Sequence, residues 1–550
     1  MQKNFFKLLV ITFVILGFLT SCSNDDDNNS VSNPTQEVPQ VLSTNLVTNT
    51  TSTFDGKNAV KVELTSAYQT EINNSGTGAG NGPSYAIVGK DFQNGTIEVE
   101  IAAAPNTLGS PTSRGFAGLA FHIDENSKDY EAVYFRMTNG TLNNPAPAAP
   151  LNTRAVQYVA HPNFHFNASR GQFPGHYEKG APVAANRWHK LKLEINGTNI
   201  KASVDGTEIL NLKDLKYAHQ NGSIGLWVDD GTTAYFRNLT ITKGTATTPF
   251  AIPSVLNINS NGFFPEDVQF YNGSAYVTGF GNGSLQKFDF SSANPTAQQI
   301  AAETDATNSS RWGIAIDPTR NTILTISNAQ YFFNGNVAAP AKVEARDLTT
   351  NQLVNTWTLP AGTVGNSIVV AAGNYYIGDI GPTTRIIKLN PTDGSTTIKT
   401  DAQWSNGFGF GGMVFRTTSL STYALYAVHG GKLWNITLAG NGDLGTVTEV
   451  TGVSNVFADG MTWAGGNTLY YAENDAQNPA NAGIVYKVTL NSNNISGTAT
   501  QASIPSNGSL NNPSGINFQR INNKNYLFVN ESQIFNTPTT PFKVNIHEIN

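Results

Sequence analysis

From about residue 254 to the end, the chain repeats one strand pattern about every 50 residues, and this repeat constrains the fold more than any other feature. Each copy contains a strand of small residues, a turn, an aromatic-rich strand and an outer strand that ends in a polar residue. A four-stranded unit with this period is typical of a β-propeller, in which each unit forms one blade. The pattern occurs six times, so residues 254–550 are predicted to form six blades around a central axis.

Residues 45–243 form a second strand-rich region with a different organisation. Residues 96–101 and 190–195 alternate apolar and polar side chains, which predicts half-buried strands. The Asn196-Gly197 and Asp205-Gly206 pairs predict hairpin turns. Eight or more strands in this region favour a two-sheet jelly roll, joined to the propeller by a Thr-rich linker at 244–253. Charged residues are only 13% of the 550, which leaves few stretches suited to amphipathic helices. The predicted class is therefore all-β.

The N-terminus has the pattern of a secretory signal. Lys3 and Lys7 precede an uncharged run at 8–19, which is too short to span a bilayer, and the run leads to Cys22, the sole cysteine. Residues 1–21 resemble the signal peptide of bacterial lipoproteins, which implies that Cys22 becomes lipidated and anchors the chain. The alternative is a soluble secreted protein with a chance cysteine. Residues 22–44, rich in Asn, Asp, Ser and Pro, are predicted to form a flexible tether.

An acidic run at 25–27 follows Cys22. It resembles the export tag of Bacteroidetes surface lipoproteins, and the resemblance implies an outer-membrane location on the cell surface. A plain acidic linker and the periplasmic face remain the alternatives.

Charge and cysteine content limit the partners. The net charge of −6 provides no basic footprint for nucleic acid. A single cysteine excludes a disulfide within one copy of the chain. No later apolar run is long enough to cross a membrane, so the lipid is the expected anchor.

The first residues of the inner strands should meet at the propeller axis. Two carboxylates and one amide oxygen, from Glu266, Asp459 and Asn366, are hard ligands that suit Ca²⁺ or another divalent cation such as Zn²⁺. The alternative is that these side chains only bond backbone groups at strand starts. Trp312 occupies the corresponding position of the second copy and is a candidate ligand contact. The remaining copies begin at Gly411 or Gly412 and at Pro513.

Residues 264–268 with 275–279, and residues 459–461 with 468–473, are similar to blades of the SMP-30, gluconolactonase and strictosidine synthase superfamily (SMP-30/gluconolactonase/LRE-like). In its lactonases a Glu, two Asn and an Asp hold one divalent cation, which polarises the lactone carbonyl and activates water. The resemblance implies that Glu266, Asn366 and Asp459 are metal ligands and that Asp459 is a catalytic base. The fourth position has Gly411-Gly412 instead of Asn, and water or Asn406 could replace that ligand.

The first region carries six of the eight histidines. His161 and His165 have the spacing of a metal pair on a helix, but Pro162 places them in a loop, where this spacing has no such meaning. A polar binding surface for a sugar is a second hypothesis, and an ordinary half-buried sheet face is its alternative. The surface would consist of Tyr134, Arg136, Gln157 and Tyr158 on adjacent strands.

Residues 94–100, 118–122 with 130–136, and 222–228 resemble the concanavalin A-like/laminin G-like jelly rolls, a group that includes family 16 glycosidases and 3-keto-disaccharide hydrolases. The Glu-x-Asp-x-x-Glu strand of family 16 glycosidases is absent. Retaining glycoside hydrolysis needs two such carboxylates, so binding is favoured over cleavage in this domain.

Three functional hypotheses follow. The first is a membrane-anchored surface lipoprotein that binds carbohydrate or a related small ligand, with a propeller that holds a divalent cation and hydrolyses a lactone or ester. The second is a non-catalytic glycan-binding or adhesion lipoprotein in which both domains are recognition modules. The third makes the jelly roll the enzyme and the propeller a scaffold.

Overall fold

The computed structural model describes residues 31–32, 34–76, 80–302, 310–329, 340–405, 409–419, 421–474, 483–505, 507–534 and 536–549. The signal segment, Cys22, the acidic run at 25–27 and Asn406 lie outside the described residues. Within the described ranges, no helix combines the length and apolar character that a membrane-spanning helix requires.

The first domain is a two-sheet jelly roll, as predicted. Its strands are β1 Val31–Ser32, β2 Ser43–Asn45, β3 Val47–Phe54, β4 Lys57–Leu64, β5 Tyr85–Phe92, β6 Gly95–Pro105, β7 Phe116–Ile123, β8 Tyr130–Arg136, β9 Val156–His161, β10 Glu178–Lys179, β11 His189–Asn196, β12 Asn199–Val204, β13 Thr207–Leu212, β14 Gly222–Val228 and β15 Thr232–Lys243. Its helices are α1 Ser66–Ser75 and α2 Phe166–Gln172, with 3₁₀ turns at Met137–Asn139 and Leu151–Thr153.

All strand pairs in these two sheets are antiparallel. One sheet has the order β13-β12-β11-β6-β15-β4-β3, with β1 beside β15, and the other has the order β10-β9-β8-β7-β14-β5-β2. Alternation places Leu191, Leu193 and Ile195 of β11 in the core between the sheets, while the intervening residues are exposed or half-buried. The predicted turn at Asp205-Gly206 joins β12 to β13, and both residues have positive φ (48° and 87°), which suits a two-residue hairpin.

The predicted tether extends too far towards the C-terminus. Gln36 pairs with Leu239, and β2 adds to the second sheet through Thr44 opposite Ala86. Val38 and Val41 also pack against the jelly-roll core. The second half of the 22–44 segment therefore lies on the jelly roll rather than forming a free linker, because its few apolar side chains pack against the core of that domain.

The second domain is a propeller of six four-stranded blades, in agreement with the repeat. Blades 1 to 3 consist of β17 Pro265–Tyr271, β18 Ser274–Gly279, β19 Leu285–Asp289 and β20 Gln298–Ala301; β21 Ser310–Asp317, β22 Thr322–Asn328, β23 Lys342–Asp347 and β24 Leu353–Thr358; and β25 Gly365–Ala371, β26 Asn374–Asp379, β27 Arg385–Leu389 and β28 Thr396–Lys399.

Blades 4 and 5 consist of β29 Met413–Thr417, β30 Tyr423–His429, β31 Gly431–Leu438 and β32 Leu444–Val456; and β33 Ala458–Trp463, β34 Thr468–Glu473, β35 Val485–Leu490 and β36 Gly497–Gln501. The sixth blade closes the ring. It combines β37 Pro513–Ile521, β38 Lys524–Glu531 and β39 Phe542–Ile549 with β16 Val255–Ile258, the first strand of the domain. Pairing of β16 with β39 joins the two ends of the domain through backbone hydrogen bonds.

The inner strands carry a β-bulge near their start, which sets the positions that face the axis. In blade 1 the register shifts between Pro265 and Val268, and shifts of the same kind occur in blades 2, 3, 5 and 6. This register makes Ser514 of blade 6 equivalent to Glu266, so the predicted Pro513 is one residue early. In blade 4 the equivalent residue is Gly411, which is two residues before the first paired residue, Met413.

Candidate functional sites

The structure brings Asn366 and Asp459 together across the propeller axis, although they come from blades 3 and 5. Asn366 Nδ2 donates to Asp459 Oδ1 at 3.2 Å and to the Phe410 carbonyl at 3.4 Å. Both side chains and Glu266 line an axial cavity of about 40 Å³. Because the amide nitrogen of Asn366 is used in these bonds, its oxygen is the atom that can accept from, or coordinate, a guest.

This axial cavity is acidic and has no basic side chain among its described lining residues. Burial raises the pKa of Glu266 well above its usual range, and the charges of Asp459 and Asp267 raise it further. Burial also raises the pKa of Asp459. Carboxyl groups that repel one another in a confined space favour either a proton or a cation between them.

Asp267 was missed by the sequence reasoning, although it directly follows Glu266. Its carboxylate accepts hydrogen bonds from the backbone N–H groups of Val268 (2.8 Å) and Ile314 (3.1 Å), so it ties blade 1 to blade 2. Burial raises its pKa to about 7. The acidic doublet at the start of an inner strand was the signal that could have identified it.

The predicted cation set is chemically coherent but incomplete. Two carboxylates and an amide oxygen fit a hard divalent cation. No group of three or more His, Cys, Asp or Glu side chains within the described part of the chain is arranged to hold a metal ion. A cation here would therefore depend on Asn366 as its third protein ligand.

Gly411 stands where the fourth ligand was expected, but the surrounding backbone leaves no room for a side chain there. A Cβ atom at Gly411 would lie 2.0 Å from the Ala458 carbonyl oxygen of the next blade. At Gly412 it would lie 2.6 Å from the Met461 nitrogen. The glycines allow the inner strands of blades 4 and 5 to approach closely, and the surrounding backbone leaves no space for an asparagine side chain at Gly411.

Trp312 does not line the axial cavity. Its ring is buried, lies 5.0 Å from the Phe280 ring and packs in an apolar cluster with Val364. Its indole N–H donates to Ser310 Oγ. The structure therefore assigns Trp312 a packing contact, separate from the axial carboxylates.

The four residues predicted as a sugar surface are all buried, and they do not share one face. Arg136 Nη2 donates to the Tyr134 hydroxyl (3.1 Å), and Arg136 Nη1 donates to Gln157 Oε1 (3.2 Å). Tyr158 instead belongs to the core between the sheets, where its hydroxyl donates to Glu131. The prediction of a common surface was wrong for Tyr158, because adjacent residues of a strand point to opposite faces.

His161 and His165 do not share a helix, as predicted, but His161 lies in a strand rather than a loop and the two rings are in contact. His161 ends β9 and His165 precedes α2. His161 Nδ1 lies 3.1 Å from His165 Nε2. Burial lowers the pKa of His165 to about 3, so the ring is neutral at physiological pH.

A further feature, which the sequence did not predict, is a chamber between the two domains. Its volume is about 580 Å³. The domains meet beside it, where Arg520 pairs with Asp129 and lies 4.5 Å from the Tyr217 ring centre. Both domains contribute aromatic and polar side chains to its walls; from the jelly roll these include Phe164, Phe173, Tyr177, Asp214, Lys216 and Tyr217, and from the propeller Gln269, Phe415, Trp463, Lys487, Phe518 and Gln519.

The chamber lies at the end of the propeller channel. Gln269, Ile368, Met413 and Met461 line both the chamber and the small axial cavity, so the two spaces adjoin. The chamber was missed because its lining comes from many separate segments, none of which carries a recognisable local motif.

Polar atoms in the chamber wall have capacity for further hydrogen bonds. Lys216 Nζ lies 2.9 Å from Asp214 Oδ2 and 4.7 Å from the Phe164 ring centre. The Tyr177 hydroxyl donates to the same carboxylate. The other oxygen, Asp214 Oδ1, is buried and has no hydrogen-bond partner within the described part of the chain. Buried polar atoms are normally satisfied, so this oxygen has unused capacity to accept a hydrogen bond.

Comparison with known proteins adds information on the first domain. Residues 49–242 match the family model of the 3-keto-alpha-glucoside-1,2-lyase-like domain. A search of the curated proteins found no match. Among solved structures, the chain is similar to the major Malassezia sympodialis allergen Mala s 1 (13% identity, 54% of this chain and 96% of that one, TM-score 0.38).

Two further structural matches are a carbohydrate-binding module from Bacillus subtilis (16% identity, 36% of this chain and 96% of that one, TM-score 0.23) and a protein from Lactobacillus plantarum (11% identity, 74% and 96%, TM-score 0.31). The family match covers the jelly roll from β3 to β15, in agreement with the resemblance found in its sequence. The first domain is therefore similar to the 3-keto-alpha-glucoside-1,2-lyase-like domain.

Proposed function

We propose that this protein is a lipid-anchored, carbohydrate-binding protein of the bacterial outer membrane and that its sugar occupies the chamber between the two domains. The observation that carries the proposal is the chamber itself, whose jelly-roll wall belongs to the domain similar to a glucoside-acting family. Its volume of about 580 Å³ falls in the range of small-molecule sites.

The composition of the walls supports this choice of ligand. A sugar ring presents apolar C–H faces and polar hydroxyl edges. Rings such as Phe164, Tyr177 and Trp463 provide apolar surface for the faces. Asp214 and Lys216 provide an acceptor and a donor for the hydroxyl groups.

The binding test uses a panel of α-linked glucose disaccharides, including trehalose and its 3-keto derivative, measured by isothermal titration calorimetry on the purified protein. We expect Trp463→Ala to weaken binding by about five- to tenfold, because a stacked aromatic contact contributes roughly 1–1.5 kcal/mol. Trp188→Ala is the matched control, since Trp188 packs on Phe54 away from the chamber. Equal loss in both variants, or no binding by any member of the panel, would contradict the proposal.

The proposed anchor rests on Cys22 and the charge pattern before it. Cells that express the wild-type chain and a Cys22→Ala variant can be labelled with a clickable palmitate analogue and fractionated. We expect label and outer-membrane association for the wild type and loss of both for the variant. Protease treatment of intact cells then separates the cell surface, which we propose, from the periplasmic face. Membrane association of an unlabelled wild-type chain would contradict lipidation.

A second candidate function is hydrolysis of a lactone or ester in the propeller, favoured by the acidic axial cavity. Glu266, Asn366 and Asp459 would hold a divalent cation, which when bound supplies a Lewis acid for the carbonyl oxygen. Asp459 would act as the proton acceptor, a role for which a carboxyl pKa raised by burial is suited. Asn366 would orient Asp459 through their 3.2 Å hydrogen bond.

Thermal unfolding with Ca²⁺ or Zn²⁺, combined with a lactone and ester screen, tests this candidate. We expect the cation to raise the melting temperature of the wild type and to have a smaller effect on Glu266→Gln. Glu548→Gln, which changes an exposed side chain of blade 6, should behave as the wild type. Equal stabilisation of all three proteins would contradict the cation site. Metal binding without hydrolysis would leave both domains as recognition modules.

A further inference from the structure

Three arginines of the jelly roll surround one carboxylate. Arg170 contacts Glu178 through two nitrogens, at 2.6 and 2.9 Å. Arg154 Nε lies 3.2 Å from Glu178 Oε1, and Arg136 Nη1 lies 3.4 Å from Oε2. Glu178 is the single carboxylate within 4.0 Å of these guanidinium groups in the described part of the chain. Arg136, Arg154, Arg170 and Glu178 are called the arginine cluster below.

The arginine cluster carries two positive charges more than its own carboxylate neutralises. Burial lowers the pKa of Arg154, and the neighbouring charges of Arg170 and Arg136 act in the same direction. Like charges held this close favour an additional anion. The two excess positive charges of the cluster must therefore be screened by solvent or neutralised by a bound anion.

The arginine cluster is accessible from outside. The side chains of Arg154 and Arg170 retain 28% and 23% of their exposure, whereas Glu178 retains 4%. Arg170 and Arg136 also lie 5.1 and 5.4 Å from the centre of the Phe166 ring, which restricts their guanidinium planes. The internal carboxylate is thus enclosed, while the side chains of Arg154 and Arg170 are partly exposed.

The propeller contributes a wall beside the arginine cluster. A Cβ atom at Gly171, next to Arg170, would lie 2.2 Å from the Tyr423 ring of blade 4. The positive charges of Arg170 and Arg154 act on the Tyr423 hydroxyl, although burial still raises its pKa. The cluster therefore lies where the two domains meet, on a part of the surface distinct from the described lining of the chamber.

We propose that the arginine cluster is a binding subsite for an oxyanion, a carboxylate or sulfate group carried on a saccharide. Guanidinium groups match both oxyanions, because their planar N–H forks can donate two parallel hydrogen bonds. Assigning the anion to a saccharide rests on the proposed carbohydrate function, whereas the oxyanion subsite itself does not.

Calorimetric titration of the purified protein with glucuronate, glucose 6-sulfate and glucose tests the subsite, with sodium sulfate as the probe that lacks a sugar. We expect both anionic sugars to bind more tightly than glucose and their affinity to fall as NaCl is raised. Arg154→Gln should weaken anionic sugars by about tenfold or more, the expected effect of losing a hydrogen bond between charged groups. Arg187→Gln, which removes the same charge at an exposed position, is the matched control.

A second variant works in the opposite direction. Glu178→Gln removes the internal carboxylate, so a correctly folded variant should bind the anionic sugars more tightly than the wild type. Circular dichroism and the melting temperature identify any variant that fails to fold, and Arg154→Gln then provides the test alone.

The outcomes separate the two proposals. If inorganic sulfate and glucuronate both bind, and Arg154→Gln weakens both to the same extent, the oxyanion subsite is supported. This holds even if neutral disaccharides do not bind, and in that case only the chamber proposal fails. Neutral disaccharide binding that is unaffected by Arg154→Gln, with no preference for anionic sugars, overturns the subsite and leaves the chamber proposal intact. Equal effects of Arg154→Gln and Arg187→Gln would reduce the subsite to nonspecific charge attraction and overturn it.

Discussion

Replacing Asp267 with asparagine should change how the stability of the propeller depends on pH. Burial raises the pKa of Asp267 from its usual 3.8 to about 7 in the folded protein. The folded state therefore holds this proton more tightly than the unfolded chain does. The resulting stabilisation is fully present below pH 3.8 and is lost as the pH rises through 7.

The magnitude follows from these two pKa values. Between pH 5 and pH 8 the wild type should lose about 2–3 kcal/mol of unfolding free energy through this group. The asparagine of the Asp267→Asn variant would carry no charge at either pH and could still accept one of the two backbone hydrogen bonds. For a domain of this size the loss corresponds to about 5 °C in melting temperature. The difference in melting temperature between the variant and the wild type should therefore be about 5 °C more favourable to the variant at pH 8 than at pH 5.

Thermal unfolding of both proteins at pH 5 and pH 8 in the presence of a chelator measures this difference. Asp289→Asn, at the exposed last residue of β19 in the same blade, is the control and should follow the wild type. If Asp267→Asn and the wild type differ by the same amount at both pH values, the buried, proton-retaining carboxyl at the axis is refuted.

Two further variants test the packing of the propeller. Gly411→Asn introduces the residue type that the lactonase pattern has at this position. It should destabilise the protein by about 3 kcal/mol or more, because its Cβ would overlap the Ala458 carbonyl. A stable variant with stronger Ca²⁺ binding would refute this reasoning. Arg311→Ala should cost about 3 kcal/mol, because the buried Glu344 would lose its contact at 2.8 Å and keep the longer ion pair with Arg346 at 3.5 Å. A shift in melting temperature under about 2 °C would show that the Arg311–Glu344 pair is not structural.

The repeat predicted the propeller because each blade carries the same strand pattern locally, and the hairpin turns were predicted because Asp205-Gly206 can adopt the positive φ angles that they need. The axial meeting of Asn366 with Asp459 also followed from their equivalent positions in two repeats. Pro513 was assigned one residue early because a β-bulge has no reliable local signal.

Other features depend on the assembled molecule. The chamber could not be predicted, since its two walls come from different domains and Phe164 and Trp463 are far apart in the chain. The separation of Tyr158 from Gln157 could have been predicted from strand alternation alone. The closeness of Gly411 to Ala458 could not, because it depends on how neighbouring blades approach.

The central claim, that a sugar binds between the domains, is tested most directly by hydrogen–deuterium exchange with a disaccharide that binds in calorimetry. The account predicts that saturation with this disaccharide slows exchange at two distant segments together, residues 164–177 of the jelly roll and residues 461–468 of blade 5. Protection confined to one domain, or located away from both segments, would contradict it.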